Sequence, residues 1–180
     1  MNINKKDVAL KMSHFLSLIS GMCLKKSFLF VVDGSRSMEF SKSFVLDKAF
    51  TKPYLNASFL MFSNKTKLYN FYPVNLKAKG NTNIKKLFKY LNKNISPNTV
   101  IIFVTDALFT SNRWEKEYLK LLKNKNYQSC YKYAIGTNLF SYDQEESLTL
   151  LSLNPNNTFH VVCSNQLDEL IQKIVTENQK

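Results

Sequence analysis

Phe28-Leu29-Phe30-Val31-Val32-Asp33-Gly34-Ser35-Arg36-Ser37-Met38 is the stretch on which the reading of this chain turns. The five apolar residues read as a buried strand. The strand runs out into Asp-x-Ser-x-Ser, which sets one carboxylate and two hydroxyls in a tight loop at its end. All three are hard oxygen donors, and none is a thiolate or an imidazole. Such a set suits Mg²⁺ or Mn²⁺ far better than zinc or copper. Two pieces downstream add to it. Gly80-Asn81-Thr82-Asn83 brings another hydroxyl just ahead of a helical pattern, and Val100-Ile101-Ile102-Phe103-Val104-Thr105 ends a second buried strand on Asp106.

Outward from these elements, strands and helices alternate. Phe40, Phe44, Val45, Ala49 and Phe50 keep helical spacing between Met38 and about Lys52, and Pro53 closes that helix. Ala57–Phe62 and Lys67–Tyr72 read as two strands joined through Ser63-Asn64-Lys65, a hairpin that makes one of them antiparallel. A helix with Ile84, Leu87, Phe88 and Leu91 on one face follows the Gly80 loop. After the Val100–Thr105 strand, Trp114, Tyr118, Leu121 and Leu122 mark a helix over about 113–123 that Ser111 or Asn112 can cap. Tyr131–Ile135 is a strand closed by Gly136, a helix lies around 144–152, and Thr158–Val162 is a short last strand. Leu167, Leu170, Ile171 and Ile174 line a final helix over about 166–175. The pattern predicts an α/β fold, Rossmann-like and doubly wound, with a mostly parallel six-stranded sheet, one antiparallel edge strand and helices on both faces. Ligands of such sheets bind beyond the C-terminal strand ends where the strand order reverses. Asp33 and Asp106 both stand at such ends.

The three elements together resemble the von Willebrand factor A domain, over about residues 26–175. That family builds a metal-ion-dependent adhesion site from a D-x-S-x-S loop, a Thr in a G-x-T loop and an Asp after a strand. The resemblance implies direct coordination by Ser35, Ser37 and Thr82, with Asp33 and Asp106 acting largely through water. It implies an Asp or Glu of a partner protein in the open position on the metal. It also implies a binding module rather than an enzyme. Intracellular members commonly serve as adaptors, often beside AAA+ ATPases or in assembly systems, and extracellular members adhere to matrix or cell surfaces. The cysteine usage and the lack of a convincing signal favour the first. This chain departs from the pattern at Arg36, Asn81 and Ala107, each where glycine is usual. Arg36 is expected to point outward and help hold the partner's carboxylate, because a cation turned toward a dication is unfavourable. Each position also has a plain structural use. Ser35 and Ser37 serve turns, Thr82 serves as an N-cap, and Asp106 serves to cap a strand end.

Composition agrees with a single domain. The 180 residues are 44% hydrophobic and 13% aromatic, which excludes a disordered chain. The net charge of +12 is unevenly placed. Between Asp47 and Asp106 there is no acid but a series of lysines, while acids gather at Glu115/Glu117, Asp143/Glu145/Glu146 and Asp168/Glu169. One reading is a positive field beside the loop that steers an acidic ligand, and the other is a solvated lysine surface. Cys23, Cys130 and Cys163 lack metal spacing and read as buried, reduced thiols of a cytoplasmic protein. No Walker A, Rossmann fingerprint or nucleophile–base order is present. A phosphohydrolase of the haloacid dehalogenase type needs a second Asp where Ser35 stands. A nucleic-acid surface is a third reading, from Tyr69, Phe71, Tyr72, Phe88 and Tyr90 among lysines, although these aromatics fall on core positions. Residues 1–25 form an N-terminal extension to a domain at 26–180, with Val8, Met12, Phe15, Ile19 and Met22 on one helical stripe. Phe15–Leu24 imitates a signal-peptide core, the basis of an exported alternative, but no A-x-A site follows. No run reaches the ~20 apolar residues of a membrane span.

Overall fold

The computed structural model describes residues 26–50, 57–74, 76–109, 114–139 and 141–179. β1 (Phe28–Asp33) leads into a helical segment, α1 (36–49), and then to β2 (Ala57–Phe62) and β3 (Thr66–Tyr69). α2 (Ile84–Asn94), β4 (Val100–Thr105), α3 (Glu115–Leu122) and the short α4 (Lys125–Gln128) follow. The chain closes with β5 (Tyr131–Thr137), α5 (Tyr142–Ser152), β6 (Thr158–Val161) and α6 (Ser164–Asn178). The strands stand in the order β3-β2-β1-β4-β5-β6, and every neighbouring pair is parallel except β2 with β3. The sheet therefore has the expected class and the expected antiparallel edge strand. Its order reverses between β1 and β4, where Val32 is level with Val104. Asp33 and Asp106 thus leave adjacent strands at the same end of the sheet.

Alternation along β1 explains the two cores. Phe30 and Val32 point into one, with Val45 and Leu46 of α1, Phe50 just after it, and Leu167, Ile171 and Ile174 of α6. Val31 points into the other, with Ile84, Leu87, Phe88 and Leu91 of α2, Tyr118 and Leu121 of α3, and Leu148 of α5. β4 is buried at every position, as a central strand covered on both faces must be.

Several boundaries differ from the sequence expectation, each for a packing reason. The second hairpin strand stops at Tyr69 rather than Tyr72. Tyr72 leaves the ladder to pack its ring against Phe50 and Phe59 and to donate its hydroxyl to Asp47 Oδ1 at 2.9 Å, while Phe71 is 73% exposed. α1 is not one regular helix but contains a π-helical turn at Lys42–Leu46. Its Lys42 is buried and donates to Asp47 Oδ1 at 2.6 Å. Phe40, expected inside, is exposed. Gly136 does not close β5 but lies within it, opposite Thr105 and His160. A Cβ there would collide with Leu148 Cδ1 and stand 2.8 Å from Leu139 Cγ, so this glycine serves close packing. α4 was not foreseen. Asn124 caps it by accepting from the amides of Asn126 and Tyr127. Cys130 is buried but Cys163 is exposed, so only the first fits the expectation of a buried thiol. The expected extension 1–25, the break at Pro53 and the caps at Ser111 or Asn112 lie outside the described residues. No helix among the described residues is long and apolar enough to cross a membrane.

Candidate metal centre

The loop after β1 is held by its own first residue. Asp33 Oδ1 accepts the amide of Ser35 at 2.9 Å, which turns the chain so that the Ser35 and Ser37 hydroxyls come within 3.0 Å of each other. Neighbouring backbone clamps the turn. Gly34 donates to the Phe62 carbonyl at 2.7 Å, Lys79 to the Gly34 carbonyl at 2.9 Å, and Arg36 to the Gly80 carbonyl at 3.0 Å. Gly80 makes that approach possible. Its φ is +79°, and a Cβ would lie 2.7 Å from Asn64 Nδ2.

Thr82 donates to Asp33 Oδ2 at 3.5 Å, so the second loop reaches the first. The N-cap role belongs to its neighbour, since Asn83 accepts from the Lys86 amide at the start of α2. The plain structural use of Thr82 is thereby taken over, and its hydroxyl faces the carboxylate. Asp106 does serve its own chain end, accepting the Leu108 amide at 3.1 Å. Asp33, Ser35, Ser37, Thr82 and Asp106 are thus gathered from three segments at the point where the strand order reverses. Arg36 is exposed beside them.

Two residues of this cluster escaped the sequence reading. Thr105 stands beside Asp33 across the β1–β4 register and donates to its Oδ2 at 2.8 Å, while accepting the Ala107 amide at 3.0 Å. A hydroxyl ending an apolar strand was visible, but its partner depends on register. Gln144 donates to the Asp106 carbonyl at 2.7 Å, and its side chain also completes a capping box with Ser141. The Ser-x-x-Gln pattern signals that cap, and nothing in it signals the longer reach.

Asp33 is fully buried. Burial pushes its carboxyl up to about 6. The Ser35 amide pulls it down, the charge of Asp106 raises it, and the Thr105 hydroxyl lowers it. The folded protein therefore holds this proton more tightly than the unfolded chain does. Between pH 3.8 and about 6 this group makes stability fall as pH rises. In EDTA, wild type should gain about 1 kcal/mol relative to Asp33→Asn when urea unfolding is moved from pH 7.5 to 5. A difference that stays flat or changes sign would show that the carboxyl is not raised. A bound cation would favour the carboxylate and reverse the trend.

Ala107 replaces a usual glycine and takes φ +57°, the left-handed conformation that glycine accepts freely. Ala107→Gly should stabilise the domain by about 0.5 kcal/mol, the strain relieved exceeding the extra unfolded-state entropy. A lower urea midpoint would contradict this.

The donor chemistry is consistent with a hard divalent cation: three hydroxyls and two carboxylates, with a buried negative charge that a cation would balance. Among the described residues no group of three or more His, Cys, Asp or Glu could hold a metal, and the oxygen donors beside the two carboxylates are the hydroxyls of Ser35, Ser37 and Thr82. Of the aromatic residues among the lysines, Tyr72 and Phe88 are buried in opposite cores, whereas Phe71 is exposed.

No protein-family sequence model matches the chain, and no curated protein matches it. Solved structures do. Proximal thread matrix protein 1 from the mussel byssus, with a zinc-occupied MIDAS motif, superposes at TM-score 0.56 with 16% identity, over 84% of this chain and 47% of that one. The von Willebrand factor type A protein from Catenulispora acidiphila gives TM-score 0.60 and 12% identity, over 86% of this chain and 43% of the other. The fold is that of a von Willebrand factor type A domain. The chain spans less than half the length of those two proteins. It covers 97% of the vWF domain of the type V pili tip protein Mfa5 from Porphyromonas gingivalis, at TM-score 0.60 and 10% identity.

Proposed function

We propose that this domain is a metal-dependent protein-binding module and not an enzyme. Ser35, Ser37 and Thr82 would hold Mg²⁺ or Mn²⁺ directly, with Asp33 and Asp106 acting through water. The cation would supply an electrophilic position for a carboxylate of a partner protein. The observation that carries this reading is the meeting of five oxygen-bearing side chains, from three segments, at the reversal point of the sheet. Thr82 adds weight, since it faces Asp33 while Asn83 does the capping. Neutral hydroxyls leave the cation's charge largely uncompensated, which favours capture of an acid. Thr105 and Gln144 act as positioning residues for Asp33 and Asp106. Arg36, exposed at the rim, would meet the incoming acid. The exposed thiol of Cys163 supports an intracellular setting.

Titration calorimetry with Mg²⁺ and Mn²⁺ tests the reading. Wild type should bind one ion saturably. Thr82→Val should weaken binding about tenfold or more while the domain stays as stable, and Asn83→Ala should cost about 1 kcal/mol of stability with little change in affinity. Equal metal affinity in wild type and Thr82→Val would sink the assignment.

A further inference from the structure

The rim of the site is electrically divided. On one side, Lys65 lies in the β2–β3 turn, Lys79 just before Gly80, and Lys86 in the first turn of α2, all exposed. This side is fastened to the Asp33 loop. Lys79 donates its amide to Gly34, the Asn83 amide reaches the Ser63 carbonyl at 3.3 Å, and Lys86 Nζ reaches the Asn64 carbonyl at 2.8 Å. On the other side Asp143, Glu145 and Glu146 are exposed at the start of α5, which Gln144 fastens to the Asp106 carbonyl. The two flanks stand over opposite halves of the sheet, beside β2 and beside β5, with β1 and β4 between them.

The placement of the lysines argues for a use. α2 has no acidic residue in its first turn, and lysines at a helix N-terminus oppose the helix dipole. None of the three forms an ion pair among the described residues. Of the three, only Lys86 stands in that first turn, with Lys85 beside it, where acids would suit the dipole as they do in α5; Lys65 and Lys79 lie in the loops ahead of the helix. The acids of α5 suit their dipole, so their position alone says little. The contrast between the two flanks is what carries information.

The geometry points to a polypeptide partner of matching polarity: a segment whose central carboxylate enters the site, with acidic residues on the side over Lys65, Lys79 and Lys86 and basic residues on the side over Asp143, Glu145 and Glu146. The central carboxylate rests on the function proposed above, whereas the polarity does not. Rim charges of this kind set orientation and encounter rate more than total affinity. They fix which way the segment runs across the crevice.

The test uses two fluorescein-labelled peptides of identical composition, Glu-Glu-Ser-Leu-Asp-Leu-Ser-Lys-Lys and Lys-Lys-Ser-Leu-Asp-Leu-Ser-Glu-Glu, measured by fluorescence anisotropy with Mg²⁺ and with EDTA. One of the two should bind wild type about tenfold tighter at low salt, and half-molar NaCl should shrink the preference to about twofold. A variant with both flanks exchanged (Lys65→Glu, Lys79→Glu, Lys86→Glu, Asp143→Lys, Glu145→Lys, Glu146→Lys) should prefer the other peptide. Equal binding by wild type, no binding of either peptide at millimolar concentration, or an unchanged preference in a folded exchange variant would overturn the proposal. So would a duplex oligonucleotide that binds more tightly than either peptide. The wild-type comparison and its salt dependence decide the matter even if the exchange variant does not fold. If calorimetry shows no metal binding while the preference persists in EDTA, the metal reading fails and the polarity stands.

Discussion

Asp33→Asn is expected to weaken Mg²⁺ binding at least about a hundredfold while making the metal-free domain more stable at pH 7.5 by about 1–2 kcal/mol. Both effects come from one buried charge. The carboxylate is fully buried near Asp106, and its pKa stands at about 6 rather than 3.8. The neutral amide is spared the desolvation and the repulsion, worth up to about 3 kcal/mol at neutral pH. Part of that gain is lost because hydrogen bonds from the Ser35 amide and the Thr105 hydroxyl weaken when their acceptor loses its charge. The same charge is what offsets a bound cation, so its removal should end useful affinity. Urea unfolding in EDTA and calorimetry on the same preparations read both arms. A variant that lost stability and kept its metal affinity would mean that Asp33 is a structural residue of the loop and nothing more.

Phe30→Ala should cost about 4 kcal/mol, a large share of the roughly 5–15 kcal/mol that holds a domain folded. Phe30 is fully buried in the middle of β1. Its ring stacks on Phe59 with centroids 4.9 Å apart and meets Phe50 edge-on at 5.2 Å. Phe50 and Phe59 in turn hold Tyr72 at 4.8 and 5.6 Å. The cluster joins β1, β2, the end of α1 and the segment after β3, so the cavity would open where four pieces of chain meet. Little can collapse into it, because the sheet fixes one side. A loss below about 2 kcal/mol in the urea midpoint, at unchanged slope, would show that the cluster repacks.

The strands and most helices were legible in the sequence because their signals are local. Five or six apolar residues bounded by turn formers mark β1, β2 and β4, and spacing alone places Ile84, Leu87, Phe88 and Leu91 on one face. The boundaries that moved are those where a side chain left its local pattern for a distant partner. Tyr72 abandons the β3 ladder for Phe50 and Asp47, and Lys42 is buried because Asp47 lies near it in a π-helical turn. Gly136 looked like a stop signal, yet it is the space that Leu148 and Leu139 require. In each case a contact across the fold outweighed a propensity worth at most about 1 kcal/mol.

The site divides in the same way. By itself the sequence determined the oxygen donors, their order along the chain and their attachment to strand ends, since residue type and neighbouring pattern are written in it. It also determined the separation of lysines from acids, since charge is a property of residues. Only the tertiary structure decided that β1 and β4 are neighbours in a register that sets Thr105 beside Asp33. It also decided that Gln144 reaches Asp106 and that Thr82 rather than Asn83 faces the carboxylate. Pairing and register are chosen by the burial of whole faces against one another, a sum over many residues that no short stretch of sequence contains.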